Sequence, residues 1–335
     1  MTVRANKPAF SIREKLKELQ KPIGLKGSEL MRAETAQEAG ALLGVGRKNW
    51  IINGNHTINQ RGKLPVTGIG NFTYEVTDRW NCVNSSVVAN ASLSDNALKV
   101  TVTSATASST FLGFKQIIED KSFLDGKVVT LSALVRSNRS EAKICIFNGS
   151  IVTNYTSHSG NGQWERLVLT TVMPAGTEFS PVIVISGNPL LTAGTSFAVG
   201  DYIEFKEVQL ELGKVATEFE HRSYGEELAL CQRYYWIVPN ARWLNGYKRN
   251  DSYVYFQLDT PVPMRASPTP TITNVGLFTN HQTALDGVVQ TSGTSVFEYR
   301  PDSGRGTLQI SSTYSGTHVW IPSWEGATIE FSAEL

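Results

Sequence analysis

The chain has only three cysteines and five histidines and no marked excess of either charge sign, and each scarcity excludes something. Cys82, Cys145 and Cys231 are odd in number and far apart, which argues against a disulfide framework, and none sits at zinc-ligand spacing from a histidine. They read as buried structural thiols. His56, His158, His221, His281 and His318 are scattered without metal spacing and read as turn or surface residues. Lysine and arginine number 31 against 30 acids, with no basic run, so a nucleic-acid partner has no electrostatic footprint. No stretch approaches the roughly 18 apolar residues of a membrane helix, so membrane insertion is not expected. The opening MTVRANKPAFSIREKLKELQ is broken by charges and lacks the apolar core of a signal peptide. That predicts synthesis in a cytoplasm without the general secretory route. The nucleophile-elbow pattern GxSxG does not occur, and no motif singles out a pair among the 30 acids for glycan hydrolysis. The GVG at 44–46 lacks the strand–loop–helix context of a phosphate cradle. No catalytic residue, cofactor site or metal site is expected, and the chain reads as a non-enzyme.

What is present points to sheets. An apolar share of 41% supports real cores, while 18% charge is low for a helical enzyme and suits β-sandwiches with Ser/Thr/Asn/Gly-rich surfaces. Asn-x-Ser/Thr triplets begin at Asn55, Asn71, Asn84, Asn90, Asn138, Asn148, Asn154 and Asn250, and read as turn composition. Residues 1–47 differ. Ser11 with Glu14 and Thr35 with Glu38 are capping boxes that open two short helices, ended by Pro22–Gly24 and by Gly44. Helices this short are marginal alone, so they pack on each other, on other copies of the chain or on another protein. From Trp50 to about Arg222 some eight strand patterns follow, opening with an Asn53–Gly54 turn signal. Leu98, Val100 and Val102 alternate on one face, and KVVTLSALVRS with EAKICIFNGS reads as a pair of neighbouring strands. Such spacing predicts a jelly-roll sandwich. Ser223 and Glu226 cap a junction helix with Leu228, Cys231 and Tyr235 on one face. The remainder is strand again, apart from an irregular PVPMRASPTPT, and the last strand should tie the C-terminus into a sheet. The expected fold is all-β: N-terminal short helices over 1–47, a central jelly-roll β-sandwich over 48–222, and a junction helix with a C-terminal β-sandwich tip over 223–335.

Several segments together resemble one family in order and spacing. They are KNWIINGNHTINQRG, the DRW at Asp78–Trp80, GKVVTLSALVRS, GQWERLVLTTVMPAG and VQLELGKVATEFEHRSYGEELALCQRYYW. The chain is similar here to bacteriophage tail-fibre and receptor-binding proteins whose central module is like a carbohydrate-binding jelly roll. The likeness covers about 48–236, and MRAETAQEAGALLGVG resembles the linker near the attachment end of such fibres. The resemblance implies a homotrimeric virion protein of the tail fibre. Its N-terminus would dock on tail or baseplate proteins, and its distal end would meet bacterial surface polysaccharide or lipopolysaccharide. The family sometimes holds a structural calcium ion, but this chain shows no Asp-rich loop for one.

Sugar recognition needs flat aromatic faces beside planar polar groups. In the central module Trp80 and Trp164 recur in the family pattern and read as core, leaving Tyr155, in the loop-like NYTSHSGNG, as the candidate contact. In the tip, Trp243, Tyr247, Tyr253 and Tyr255 surround the Asn245–Gly246 turn, and Trp320 and Trp324 flank Pro322. Tyr253 and Tyr255 should lie opposite Val254 and Phe256, facing outward or into an interface between subunits, which also enriches tyrosine and tryptophan. Besides a glycan-binding fibre, two other functions fit the residues: a purely structural tail component, and a tailspike-like depolymerase, which the missing repeat and carboxylate motifs disfavour.

Overall fold

The computed structural model describes residues 48–69, 73–74, 76–106, 111–119, 121–146, 154–175, 182–187, 197–238, 244–250, 253–273, 276–277, 289–290, 295–311, 318–321 and 328–334. The two expected N-terminal helices lie outside these residues. Within them the chain is all-β, as the alternation predicts, with one α-helix.

Ten strands build the central sandwich. They are β1 (Asn81–Asn84), β2 (Val87–Ser94), β3 (Ala97–Ala105), β4 (Phe111–Gln116), β5 (Val128–Ser137), β6 (Ala142–Ile146), β7 (Tyr155–Ser157), β8 (Trp164–Val172), β9 (Val182–Gly187) and β10 (Tyr202–Leu212). One sheet runs β2-β3-β10-β5-β8 and the other β1-β4-β9-β6-β7, all antiparallel. The core is the set of inward positions dictated by period two: Leu98, Val100 and Val102 from β3, Val129, Leu131, Ala133 and Val135 from β5, and Leu167 and Leu169 from β8. One sequence expectation fails here. β5 and β6 are consecutive but not paired; β5 lies between β10 and β8, while β6 lies between β9 and β7 in the opposite sheet. The connection crosses the sandwich, as Greek-key topologies do, and alternation along each strand says nothing about which strand is its neighbour.

The segment 48–60 is not a strand. Trp50–Ile52 runs as irregular chain, held where a strand would be by side chains: the Asn49 amide oxygen accepts from Ile51 N and Leu210 N, and Gln116 exchanges two hydrogen bonds with the Ile52 backbone. The Asn53–Gly54 turn does form, with Asn53 at φ 58°. A Cβ on Gly54 would stand 2.2 Å from the Val208 carbonyl oxygen, so glycine is required there by contact with backbone.

Trp80 is fully buried, as expected, with its indole N–H donating to Asn53 O at 2.9 Å and its ring edge-on to Phe205 at 5.4 Å. All three cysteines are buried thiols, and none is in a disulfide. His56 and His158, expected in turns or at the surface, are both buried. His56 does sit in a turn, at φ 52°, but that turn is folded under the sandwich against Phe205 and Trp80. Burial holds its imidazole down at about 3, against an ordinary 6.5. The unfolded chain therefore binds this proton more tightly than the native one. Stability is present above about pH 6.5 and is lost as pH falls from there toward about 3, by about 2 kcal/mol at pH 5. Urea midpoints of wild type and His56→Gln at pH 7 and pH 5 measure this. The variant should lose less stability between the two, and equal losses would refute the assignment.

After the sandwich, α1 (Tyr224–Gln232) starts at the expected capping box, with Ser223 and Glu226 bonded reciprocally. Cys231 is buried and Leu228 packs beside it on Ile52 and Ile58. Tyr235 does not share that helical face, because the helix ends first and Tyr235 opens the next strand. The C-terminal unit pairs a three-stranded sheet with a five-stranded one. The former orders β11 (Tyr235–Val238), β20 (Thr328–Ser332) and β14 (Thr269–Thr273) as β11-β20-β14. The latter runs β17 (Ser295–Arg300), β18 (Arg305–Ser311), β13 (Tyr253–Asp259), β12 (Leu244–Asn250) and β19 (His318–Ile321). Two further short strands, β15 (Gly276–Leu277) and β16 (Val289–Gln290), pair with each other. Phe256, Leu258, Phe297, Leu308, Ile329 and Phe331 form the core between the larger sheets. Pro270, expected in irregular chain, lies in β14, where the edge position spares it a missing ladder donor. The final strand is the centre of its sheet, so the C-terminus is tied in as expected.

The two units meet through a charged joint. Arg79, 1% exposed at its side chain, pairs with Glu334, and Arg61 reaches both Glu334 at 3.4 Å and Asp78 at 3.3 Å. Arg79 stacks over Tyr234 at 3.4 Å and donates to Ile117 O at 2.9 Å, while Arg61 stacks over Tyr235 at 3.7 Å. The Tyr234 hydroxyl, pushed up to about 12 chiefly by burial, donates to Glu119 at 2.5 Å. Burial also raises the Asp78 carboxyl, against the pull of Arg61.

Candidate functional site

The outward face of the β2-β3-β10-β5-β8 sheet is the feature that most resembles a recognition surface. Residues facing one another across an antiparallel ladder share a face. One register row therefore runs Ser92, Lys99, Glu204, Arg136, Trp164 across all five strands. The neighbouring rows carry Asn90, Thr101 and Tyr202 on one side, and Lys206, Leu134 and Arg166 on the other. The half of this face toward the end of β10 is covered: Thr130, Gln209 and Glu211 are buried there, with Glu211 accepting from Thr217 N at 2.7 Å and Thr130 donating to Gly213 O at 2.7 Å. The half around Trp164 stays open, with Trp164, Tyr202, Lys99 and Lys206 half-buried and Arg166 exposed.

Trp164 corrects the sequence reading, which placed it in the core. Leu167 and Leu169 point inward, so by period two Trp164 points out, and it is absent from the core cluster. Its ring is approached by the Arg136 guanidinium at 4.9 Å and the Lys206 ammonium at 5.1 Å. Tyr202 is outward by the same parity against Ile203 and Phe205, and carries Lys99 at 4.6 Å over its ring. At about 4.8 Å between strands and 3.4 Å along them, the Trp164 and Tyr202 backbones stand about 12 Å apart. The charges are arranged in order. Glu204 accepts two bonds from Arg136, at 2.9 and 2.5 Å, and Glu207 pairs with Arg166. Glu207 is reached through a bulge between Lys206 and Gln209, where it adopts φ 52°.

The residues singled out from the sequence are dispersed. Tyr155 is 50% exposed on the edge strand β7, with Lys143 over its ring at 4.5 Å, so one aromatic face already has a cation. Burial lowers that ammonium from its usual range. In the tip, Tyr247 and Tyr255 pair across β12 and β13 and stack at 5.7 Å with 20° between planes. Tyr247 is 50% exposed, while Tyr255, expected to face outward or into an interface between subunits, is 9% exposed, with the Tyr247 ring stacked on it. Tyr253 is half-buried in the same strand. Trp320 pairs in register with Asn245. Trp243 and Trp324 lie outside the described residues. Tyr155 and the Tyr247–Tyr255 stack belong to different units of the chain.

A polar groove of about 980 Å³ runs along the tip, lined among others by Asp259, Glu298, Arg300, Asp302 and Arg305. A second groove, of about 650 Å³, lies beside α1, between Arg222, Leu230 and Arg233 and the Val262–Pro263 turn. Among the described residues no three His, Cys, Asp or Glu side chains converge as a metal site, and no helix is long and apolar enough to cross a membrane.

No family model and no curated protein matches the chain. Among solved structures it is similar to the tripod of the baseplate of bacteriophage Tuc2009, at 14% identity and TM-score 0.30, over 86% of this chain and 90% of that one. It is also similar to a family 11 carbohydrate-binding module of a cellulosomal cellulase of Clostridium thermocellum, at 13% identity and TM-score 0.27, over 47% and 98%. A third likeness is to a xylan-binding domain from Paenibacillus barcinonensis, at 14% identity and TM-score 0.27, over 46% and 99%.

Proposed function

We propose that this chain is a non-catalytic adhesin of a bacteriophage tail, trimeric in the virion, whose central sandwich holds host surface glycan on its open sheet face. The observation that carries the reading is Trp164: a tryptophan at an outward register position, half-buried, beside Arg136 and Lys206 and in one row with Glu204 and Lys99. An aromatic plane for the apolar side of a pyranose, with charged groups around it for the hydroxyls, is the composition of a sugar site. The tail-fibre resemblance of the sequence over 48–236 supplies the virion setting. On that reading residues 1–47 dock to the tail, and three linked copies turn weak single-site contacts into lasting attachment through effective concentration.

The exposed Tyr247 over Tyr255 favours a second role for the tip, as a contact between copies, since such interfaces enrich tyrosine. Two measurements test the proposal. The labelled full chain should adhere to bacteria that the phage adsorbs to and should slow adsorption in competition. Its mass in solution should be that of three chains. Adherence to no host, together with binding to virions, would leave a structural tail component. Shortened polysaccharide after incubation would make it a depolymerase.

A further inference from the structure

The open face carries a charge imbalance that goes with its rings. Four cations stand on it, Lys99, Arg136, Arg166 and Lys206, against two carboxylates, Glu204 and Glu207. Each carboxylate is taken by an arginine. The two lysines have no ion-pair partner among the described residues; Lys99 rests over Tyr202, and Lys206 lies near Trp164 with only the Asp95 carbonyl at 3.4 Å. Glu204 is itself buried at 5% side-chain exposure, so the carboxylate lies beneath the surface while one ammonium group stands over each ring. The whole chain carries a net charge of only +1, so this local excess is not a reflection of overall composition.

We infer that the glycan held on this face is anionic, bearing carboxylate or phosphate groups that Lys99 and Lys206 neutralise while its apolar sugar faces lie against Trp164 and Tyr202. The inference rests on the proposed glycan-binding role. The complementarity is local and solvent-open, so it adds selectivity more than tightness, and it weakens as salt rises through the range where the screening length falls to about 8 Å.

The test uses the full chain and a panel of acidic bacterial polysaccharides. Uronate polymers are compared with their carboxyl-reduced forms, and phosphodiester-linked polymers with dephosphorylated ones. Binding to a charged form should exceed that to its neutral counterpart by about tenfold at low salt, the expectation for two exposed charge pairs. The Lys99→Gln, Lys206→Gln double variant should erase most of that difference while its melting temperature stays unchanged. Which arm binds separates carboxylate from phosphate. Equal binding of charged and neutral forms, sensitive to Trp164→Ala, would overturn the anionic inference and leave the adhesin reading standing. No binding to any member of the panel by a chain that does adhere to host cells would overturn the anionic inference alone, and no binding in either assay would overturn both.

Discussion

Glu334→Ala is expected to destabilise the joint between sandwich and tip by about 3–5 kcal/mol, because it strands a buried guanidinium. Arg79 is 1% exposed at its side chain, and Glu334, 6% exposed, is its carboxylate partner. The substitution also removes one of the two acids that Arg61 contacts. The remaining partners of Arg79, the Tyr234 ring and the Ile117 carbonyl, satisfy shape and one donor but not the charge. Calorimetry should show one cooperative transition in the wild type become two in the variant, with the tip melting first. The double variant Glu334→Ala, Arg79→Met should recover much of the loss, since removing both partners leaves no buried charge. A double variant less stable than the single would show that Arg79 holds the joint through its stack on Tyr234 and its bond to the Ile117 carbonyl more than its stranded charge weakens it. A single variant melting like the wild type would contradict the buried assignment.

The second large effect separates two tryptophans that look alike in the sequence. Trp80→Ala should cost about 3–5 kcal/mol, the range for emptying a core site of this size, and lower the sandwich melting temperature by about 10 °C. Trp80 is fully buried, and its N–H bond to Asn53 fixes the irregular 48–60 segment to the sandwich, so Trp80→Phe should recover part of the volume but not that anchor. Trp164→Ala should cost less than about 1 kcal/mol, since the ring is partly solvated and only exposed cation–π contacts are lost. The same change should weaken glycan binding by about 30-fold, the scale of a central aromatic contact worth about 2 kcal/mol.

Which parts of this were legible in the sequence follows from the range of the signals. Strand faces are local: Leu98, Val100 and Val102 announce their core face by alternation, and Ser223 with Glu226 announces a helix start within four residues. Trp164 is within reach of the same rule, because Leu167 and Leu169 fix the inward parity of its strand; the tail-fibre resemblance points it to the core instead. Strand order is not local, so adjacency pairs β5 with β6 although they belong to opposite sheets. The joint was invisible, since Arg79 and Glu334 are separated by 255 positions and nothing near either one marks a partner. Burial of His56 and His158 was hidden similarly, because polar residues in turns go under only when other segments cover them. Tyr255 alternates with the core residue Phe256, and that its own ring is also buried, with Tyr247 stacked on it, is not written in the alternation.

The central claim, that the open sheet face presents a glycan-holding surface rather than positioning reactive groups, is tested most directly by one pair of binding isotherms. Full-length wild type and Trp164→Ala are titrated with polysaccharide purified from an adsorbing host, at matched folded fraction. The account predicts saturable binding by the wild type, about 30-fold weaker binding by the variant, and a polysaccharide of unchanged length at the end of the titration. Equal affinity in the two proteins, or a shortened glycan, would contradict it.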